Sequence, residues 1–125
     1  MGYSGAILRN SEGKILFQLR DKNGKNPNMW GIFGGGIKKG ENPTNAIIRE
    51  IKEELRIKIS SSDILKKYEI PLINYYIFEI YLKNRPKKSQ LKEGKDMRFM
   101  TKEEFMKMKN ALWRVKIFLR LFKIN

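Results

Sequence analysis

One segment, residues 35–57 (GGIKKGENPTNAIIREIKEELRI), concentrates the side chains best suited to chemistry. It places four carboxylates, those of Glu41, Glu50, Glu53 and Glu54, within fourteen residues of a chain whose net charge is +14. Like charges repel, so such a cluster is destabilising unless a cation neutralises it. A hard divalent cation, which takes oxygen ligands, is the natural candidate.

Helical spacing would bring three of these carboxylates to one side of a helix. Glu50, Glu53 and Glu54 lie three and four residues apart, the separation of neighbours on a helix surface. Arg49 comes one turn before Glu53 and can hold it, or its neighbour, in a fixed rotamer. The opposite side carries apolar residues at every fourth position, namely Ile47, Ile51 and Leu55. The pattern predicts a helix with one side for the core and another for a cation.

The chemistry of such a site follows from its donor atoms. Mg²⁺ prefers octahedral oxygen coordination and often bridges carboxylates to substrate phosphates, and Mn²⁺ also suits these ligands. The metal can lower the pKa of a bound water, and a nearby carboxylate can then accept its proton. This chemistry can break a phosphoanhydride without histidine or cysteine, and the chain contains neither.

Composition sets the remaining limits. With 125 residues, we expect one domain over 1–125, with the carboxylate segment at 35–57. No apolar run reaches the roughly 20 residues that span a bilayer, so no membrane partner is expected. The first residues show no signal-peptide pattern, which predicts a cytoplasmic protein. The charge of +14 favours anionic partners such as nucleotides or RNA, or equally reflects a Lys-rich genomic bias; the oligomeric state is left open.

The surrounding elements alternate between strands and helices. Short apolar runs bounded by turn formers predict strands near 3–8, 14–19, 29–33, 64–72, 73–82 and 96–100. Asn42 and Pro43 predict the start of the carboxylate helix, and Thr101 with Glu104 predicts a capping box that opens another. A last helical stretch covers 111–124, and Gly34–Gly36 reads as a loop that a ligand can approach closely. The order predicts a mixed α/β domain.

The segment resembles the Nudix box, G-x5-E-x7-R-E-U-x-E-E-x-G-U with U apolar, of the Nudix (MutT-type) hydrolases. The matching positions are Gly35, Glu41, Arg49, Glu50, Ile51, Glu53, Glu54 and Ile57. The resemblance implies an α/β/α sandwich with a mixed β-sheet. It also implies hydrolysis of a nucleoside diphosphate linked to another group.

The same resemblance implies roles for individual residues. Glu53 and Glu54 would bind Mg²⁺ or Mn²⁺, while Glu50 would be a ligand or the base that activates water. Arg49 would orient a catalytic glutamate. Two further ligands are expected from outside the helix, the Gly34 carbonyl and Glu93.

Three positions depart from the family pattern. Arg56 replaces the second glycine of the box, where a left-handed arginine would cost roughly 1 kcal/mol, so an altered helix end is expected. Lys38 stands where Glu is frequent, which would trim metal affinity or redirect a phosphate contact. Phe33 stands where Pro is frequent, a change that looks tolerable.

Substrate contacts are expected from residues inside and outside the box. The candidates for binding the substrate are Arg20, Gly35, Lys38, Lys39 and Asn110. The basic loop at 83–95 is a further candidate for binding phosphates, or is simply solvated. Aromatic residues that could stack on a base, or simply fill the core, are Tyr3, Phe17, Tyr75, Phe78 and Trp113.

Three functions are compatible with these features. The first is a pyrophosphohydrolase that converts a nucleoside triphosphate, including an oxidised one, to the monophosphate and pyrophosphate. The second is a hydrolase of RNA 5′ ends or dinucleoside polyphosphates, which the positive charge favours. The third is a non-catalytic nucleotide- or RNA-binding module, although all four box glutamates are present.

Overall fold

A single mixed β-sheet organises the chain in the computed structural model, which describes residues 2–21, 26–92 and 94–125. The strands found in these ranges are β1 (Tyr3–Arg9), β2 (Ile15–Leu19), β3 (Trp30–Gly31), β4 (Phe33–Gly36), β5 (Ile64–Ile70), β6 (Tyr75–Tyr81) and β7 (Asp96–Met100). They are arranged in the order β3-β2-β1-β6-β5, with β4 paired to β1 and β7 paired to β2. Strands β1 and β6 run parallel, from Tyr3 opposite Tyr75 to Arg9 opposite Tyr81, and the other pairs are antiparallel. The predicted hairpin of β1 and β2 is confirmed.

Helices α1 (Pro43–Leu55), α2 (Lys102–Lys107) and α3 (Trp113–Leu121) begin close to their predicted starts. The Asn42 side chain accepts a hydrogen bond from the Asn45 N–H at 2.8 Å, which caps α1 as expected. At α2 the Thr101 hydroxyl accepts from the Glu104 N–H at 3.1 Å. The Glu104 carboxylate accepts from the Thr101 N–H at 2.9 Å and completes the capping box. No helix in the described ranges has both the length and the apolar character needed to cross a bilayer.

Two apolar layers lie on opposite faces of the sheet, because neighbouring residues of a strand point to opposite sides. Ala6 and Leu8 of β1 pack with the buried stripe of α1, whereas Ile7 between them packs under α2 and α3. The stripe of α1 is fully buried at the predicted positions, Ile47, Ile51 and Leu55. With helices on both faces of a mixed sheet, the α/β/α sandwich is confirmed.

Several element boundaries differ from prediction. The apolar run at 29–33 is divided between β3 and β4, and the expected glycine loop is instead the β-strand β4. Strand β4 is extended because it pairs with β1, with Gly34 opposite Gly5. A 3₁₀ turn at Pro71–Ile73 shortens both β5 and β6, and α3 is shorter than 111–124.

The C-terminal end of α1 corrects the expectation for Arg56. This residue adopts the left-handed conformation, with φ 56° and ψ 35°, that the family's glycine would adopt. Its N–H donates to the Lys52 carbonyl at 2.9 Å, so α1 closes at Leu55 without a change of geometry. The predicted alteration of the helix end is therefore wrong, and Arg56 carries the conformational strain locally.

Candidate active site

Arg49 is the centre of the carboxylate network on α1. Its Nε and Nη2 donate to the two carboxylate oxygens of Glu41 at 2.8 and 3.0 Å, a bidentate pair. Its Nη1 donates to Glu50 Oε1 at 2.8 Å and to Glu53 Oε1 at 2.9 Å. Nη2 also donates to the Gly36 carbonyl at 2.9 Å, which ties the network to β4. One guanidinium thus contacts three carboxylates, whereas its spacing predicted a contact with Glu53 or its neighbour only.

The electrostatics of Glu41 and Arg49 follow from this geometry. The hydrogen bonds from Arg49, followed by that from the Lys38 N–H, lower the pKa of Glu41 from 4.5 to about 2. The same bond with Glu41 is the largest cause that raises the pKa of Arg49 above its usual value. Both groups are therefore charged near neutral pH, and the pair weakens only in strong acid, as the pH approaches the lowered pKa of Glu41.

The glycines of β4 allow the carboxylates to approach the sheet. A Cβ on Gly35 would overlap the carboxylate of Glu50, so that carboxylate lies directly against the backbone of β4. Gly34 has a φ of 155°, a value that side chains rarely adopt, and a Cβ there would overlap the Ser4 carbonyl. Gly34 and Gly35 are therefore needed for strand packing and for this close approach rather than for a flexible loop, whereas a Cβ at Gly36 would fit.

Glu54 lies apart from the Arg49 network. Its side chain is buried, with 8% exposure, whereas the Glu53 side chain remains 45% exposed. Burial, followed by the negative charge of Glu54, raises the pKa of Tyr3 well above its usual range, so the phenol stays protonated. The Glu54 carbonyl accepts from the Lys92 N–H at 2.9 Å, which anchors the segment after β6 to α1. Glu93, the expected additional ligand, lies outside the described residues.

A cavity of about 300 Å³ opens beside β4. Gly34 and Gly35 form part of its wall, so it adjoins the position of the Glu50 carboxylate. Aromatic and cationic side chains complete it, including Tyr3, Tyr75, Phe118, Arg20 and Arg114. The Tyr3 and Tyr75 rings are 5.3 Å apart, and Tyr75 and Phe118 are 5.9 Å apart. This combination suits a planar base together with a phosphate chain.

The donor set of the site fits a hard divalent cation. Carboxylate and carbonyl oxygens dominate it, and Glu41, Glu50 and Glu53 share the single positive charge of Arg49. Within residues 2–21, 26–92 and 94–125, no three acidic side chains are gathered closely enough to bind one ion together. Glu50 and Glu53 are hydrogen-bonded to Arg49, and Glu54 is buried, with 8% exposure. Mg²⁺ usually keeps several waters, so it is compatible with carboxylates separated in this way.

The predicted substrate residues are not all brought together. Arg20 and Gly35 line the cavity, whereas Lys38 and Lys39 are exposed on the segment before α1. Asn110 is absent from the cavity wall, and its Nδ2 donates to the Asn28 carbonyl at 3.1 Å.

Among the aromatic candidates, Tyr3 and Tyr75 line the cavity, and Phe17 and Phe78 do not. The latter two are fully buried core residues that cannot stack on a ligand. Trp113 is 65% exposed on the outer side of α3, away from the cavity wall.

Sequence reasoning missed three contributors to the site. The Gly36 carbonyl binds Arg49, and Arg114 and Phe118 of α3 line the cavity. Arg114 and Phe118 are four residues apart on a helix, a spacing that places both on one side. That spacing was the available signal, but it does not reveal which part of the sheet the side faces.

Comparisons with known proteins agree with this architecture. The profile of the NUDIX domain matches residues 3–121, nearly the whole chain. The chain therefore belongs to the Nudix (MutT-type) hydrolase family, as the resemblance of its box predicted. Members of the family generally use divalent metals and act on nucleotide substrates.

The individual proteins that resemble this chain have low sequence identity to it or match only part of it. The nucleoside triphosphatase NudI of Salmonella arizonae is 36% identical over 58 residues, which cover 46% of this chain and 41% of that protein. The match therefore spans less than half of the relative's length. The MutT protein of Methanosarcina mazei Go1 has a TM-score of 0.75 at 21% identity, covering 97% of this chain and 91% of that one. The E. coli dihydroneopterin triphosphate pyrophosphohydrolase has a TM-score of 0.68 at 15% identity, covering 96% and 92%.

Proposed function

We propose that the chain is a divalent-metal-dependent hydrolase that cleaves a phosphoanhydride bond in a nucleoside diphosphate linked to another group. A nucleoside triphosphate, converted to the monophosphate and pyrophosphate, is the substrate we favour. The observation that carries the proposal is that Gly35 contacts both parts of the site. It lines the aromatic cavity, and the Glu50 carboxylate lies against it, so a base held in the cavity would extend its phosphates toward the glutamates.

Mg²⁺ or Mn²⁺ would be held by Glu50, Glu53 and Glu54 with the Gly34 carbonyl, and Glu93 is a further proposed ligand. When bound, the ion supplies charge neutralisation for the phosphates and a more acidic water. Arg49 keeps Glu50 and Glu53 in position, with Nη1 within 2.9 Å of both. We assign the base that accepts the proton of water to Glu50, through a carboxylate oxygen not held by Arg49.

The cavity supplies the recognition part of the proposal. Tyr3, Tyr75 and Phe118 offer faces and edges for a base, and the apolar side chains of Ile32, Leu112 and Val115 line the same cavity. Arg20 and Arg114 line the same cavity and can contact phosphate oxygens by charge-assisted hydrogen bonds. The protonated phenol of Tyr3 can donate a hydrogen bond to the substrate. The name of the nucleoside triphosphatase NudI among the similar proteins supports the same substrate class.

A second candidate function is the hydrolysis of RNA 5′ ends. The observation that favours it is the net charge of +14, which attracts a polyanion more strongly than a small nucleotide requires. Dinucleoside polyphosphates undergo the same type of reaction. They carry fewer negative charges than RNA, so the positive field of the protein attracts them less strongly.

The test is a panel of nucleoside triphosphates, dinucleoside polyphosphates and triphosphorylated RNA, each with Mg²⁺, Mn²⁺ or EDTA. Release of pyrophosphate or phosphate is measured for the parent chain, for Glu54→Gln and for the matched control Glu103→Gln. Glu103 is an exposed residue of α2. We expect metal-dependent turnover that falls at least about 100-fold in Glu54→Gln and is unchanged in the control.

The panel also separates the alternatives. Turnover confined to RNA would replace the first candidate with the second. If the chain binds nucleotides tightly but hydrolyses none of the substrates with either metal, both hydrolase candidates are refuted. The chain would then be a non-catalytic binding module. Thermal melting of each variant verifies that a loss of turnover does not reflect unfolding.

A further inference from the structure

A second set of depressions lies around the segment that follows β6. Three of them, with volumes of about 380, 180 and 140 Å³, share the side chain of Arg85. The first two also share Tyr81 and Lys83, and the last two share Phe99. Because they share these residues, the three depressions lie side by side, and we call them together the basic groove.

Positive charge dominates the basic groove. Its cationic side chains are all exposed, and they are Lys58, Lys83, Arg85, Lys87 and Lys88. Among the residues that the structure describes, the acidic ones that line it are Glu12 and Asp63. Arg98 also borders the smallest depression, and its guanidinium lies 5.1 Å from the centre of the Trp30 ring. The excess of cations indicates an anionic ligand.

The ion pairs already present in the groove are weak. Lys83 Nζ lies 3.6 Å from Asp63 Oδ1, and Lys88 Nζ lies 3.5 Å from Asp96 Oδ1, with both lysines 72% exposed. Exposed pairs of this kind contribute about 0–1 kcal/mol, so a phosphate can compete for these cations. The cations are consequently available to a ligand at little loss of stability.

Aromatic side chains lie among the cations. Tyr81 is 37% exposed and lines the two larger depressions. The Arg85 guanidinium lies 5.8 Å from the centre of the Phe99 ring, which holds it across the groove. Alternation of cations with an exposed aromatic ring is the arrangement that proteins use to hold phosphates and stack unpaired bases.

The groove is separate from the aromatic cavity beside β4. The cavity contains Tyr3 and Tyr75, the first residues of the parallel strands β1 and β6, whereas the groove contains Tyr81, the last residue of β6. Six steps of a strand at about 3.3 Å each separate Tyr75 from Tyr81 by roughly 20 Å. A phosphate in the groove is therefore not the reacting phosphate of a nucleotide whose base lies in the cavity.

We infer that the basic groove binds the sugar–phosphate backbone of a single-stranded nucleic acid, with Tyr81 stacking on a base. Three contiguous depressions suit a chain of repeating phosphates rather than one small anion. Single strands are favoured over duplexes because Tyr81 can stack only on an unpaired base. This binding is independent of the proposed hydrolase activity, and its test is made without turnover.

The experiment is fluorescence anisotropy of 12-nucleotide labelled oligouridine and oligothymidine with the full chain in EDTA, between 50 and 200 mM salt. One variant removes three groove cations, by Lys58→Ala, Arg85→Ala and Lys87→Ala. The matched control removes three exposed cations outside the groove and the cavity, by Lys107→Ala, Lys109→Ala and Arg120→Ala. Both triple variants carry the same net charge, so they differ only in where the charge is lost.

We expect the groove variant to bind at least about tenfold more weakly and to reduce the slope of log K against log salt by about 2. The control should change affinity less than about threefold. Equal weakening by the two variants would overturn the proposal, because it would mean that only net charge matters. Unchanged binding in the groove variant would also overturn it.

Two further arms identify the ligand. Tyr81→Ala should weaken binding of both oligonucleotides several-fold without a change in the salt slope, because it removes stacking and no charge.

A polyglutamate competitor matched in charge should displace the oligonucleotide poorly. If it competes as well as unlabelled oligonucleotide, the groove is a general polyanion surface and the inference fails. The ratio of oligouridine to oligothymidine affinity shows whether RNA or DNA is preferred, and circular dichroism verifies folding.

Discussion

Arg49 and Arg85 show two different uses of the same side chain. Arg49 donates to three carboxylates and a carbonyl at 2.8–3.0 Å and is held in one orientation. Arg85 is exposed in the basic groove, and its described contact is the Phe99 ring at 5.8 Å. The function of Arg49 depends on the position of each N–H donor, whereas the function of Arg85 depends on the total positive charge of the groove. The Arg49 network should therefore be sensitive to geometry, and the groove to charge and salt.

The largest expected effect comes from exchanging arginine for lysine, which keeps the charge and loses the forked donors. Arg49→Lys cannot reach Glu41, Glu50 and Glu53 together, so kcat for the best substrate should fall roughly 100-fold or more with a smaller change in KM. Arg85→Lys should alter the affinity for oligonucleotide less than about threefold. Steady-state kinetics and anisotropy measure the two. Equal tolerance of lysine at both positions would contradict the distinction between geometry and charge.

A second prediction concerns geometry alone, without any change of charge. Gly35→Ala introduces a methyl group where the Glu50 carboxylate lies, so Glu50 must move and kcat should fall about 10- to 100-fold. Gly36→Ala is the matched control, because its Cβ would come no closer than 3.8 Å to the Gly2 carbonyl. Both are measured by kinetics and thermal melting. If the two alanine variants behave alike, the contact between Gly35 and Glu50 is not important for the site.

A third prediction uses acid to weaken the Arg49 network. The folded-state pKa of Glu41 is lowered from 4.5 to about 2, so its stabilisation is fully present above pH 4.5 and is lost as pH falls toward 2. The melting temperature of the parent chain should therefore exceed that of Glu41→Gln at pH 6. The difference should shrink as pH falls below 4.5. A difference that stays constant down to pH 3 and below would mean that Glu41 does not stabilise the fold through its charge.

The smallest expected effect involves a third arginine, Arg56, whose backbone rather than side chain is important. Arg56→Gly removes the strain of a left-handed residue with φ 56° and should raise the free energy of unfolding by about 1 kcal/mol. Arg56→Ala loses the same charge but retains a Cβ, so it should bring no comparable gain. Denaturant titration measures both. A similar gain in both variants would mean that charge, not conformation, is responsible.

Much of the fold could be predicted because its signals are local. Asn42 and Pro43 mark the start of α1, and the capping box of Thr101 and Glu104 marks the start of α2. Each signal acts within one helical turn, through hydrogen bonds that neighbouring residues can form in any fold. The strand boundaries at β7 were predicted for a similar reason, because turn formers precede it and the capping box follows.

The β4 glycines were misjudged because their structure depends on a partner distant in the chain. Three consecutive glycines indicate a loop, but pairing with β1 extends them into a strand. Arg56 was misjudged for a related reason. Its left-handed conformation is intrinsically unfavourable, yet the N–H bond to Lys52 and the packing of α1 hold it there.

The sequence by itself determined which charged side chains of α1 lie together, because the spacing of Arg49, Glu50 and Glu53 within one helix limits which side chains can meet. Only the tertiary structure decided what faces them: β4 lies against Glu50, and α3 contributes Arg114 and Phe118 to the cavity. The basic groove was also decided by the tertiary structure, since Lys58, which follows α1, and Arg85, which follows β6, line the same depression. Contacts along a helix follow from its repeat, whereas contacts between elements follow from how a whole core packs.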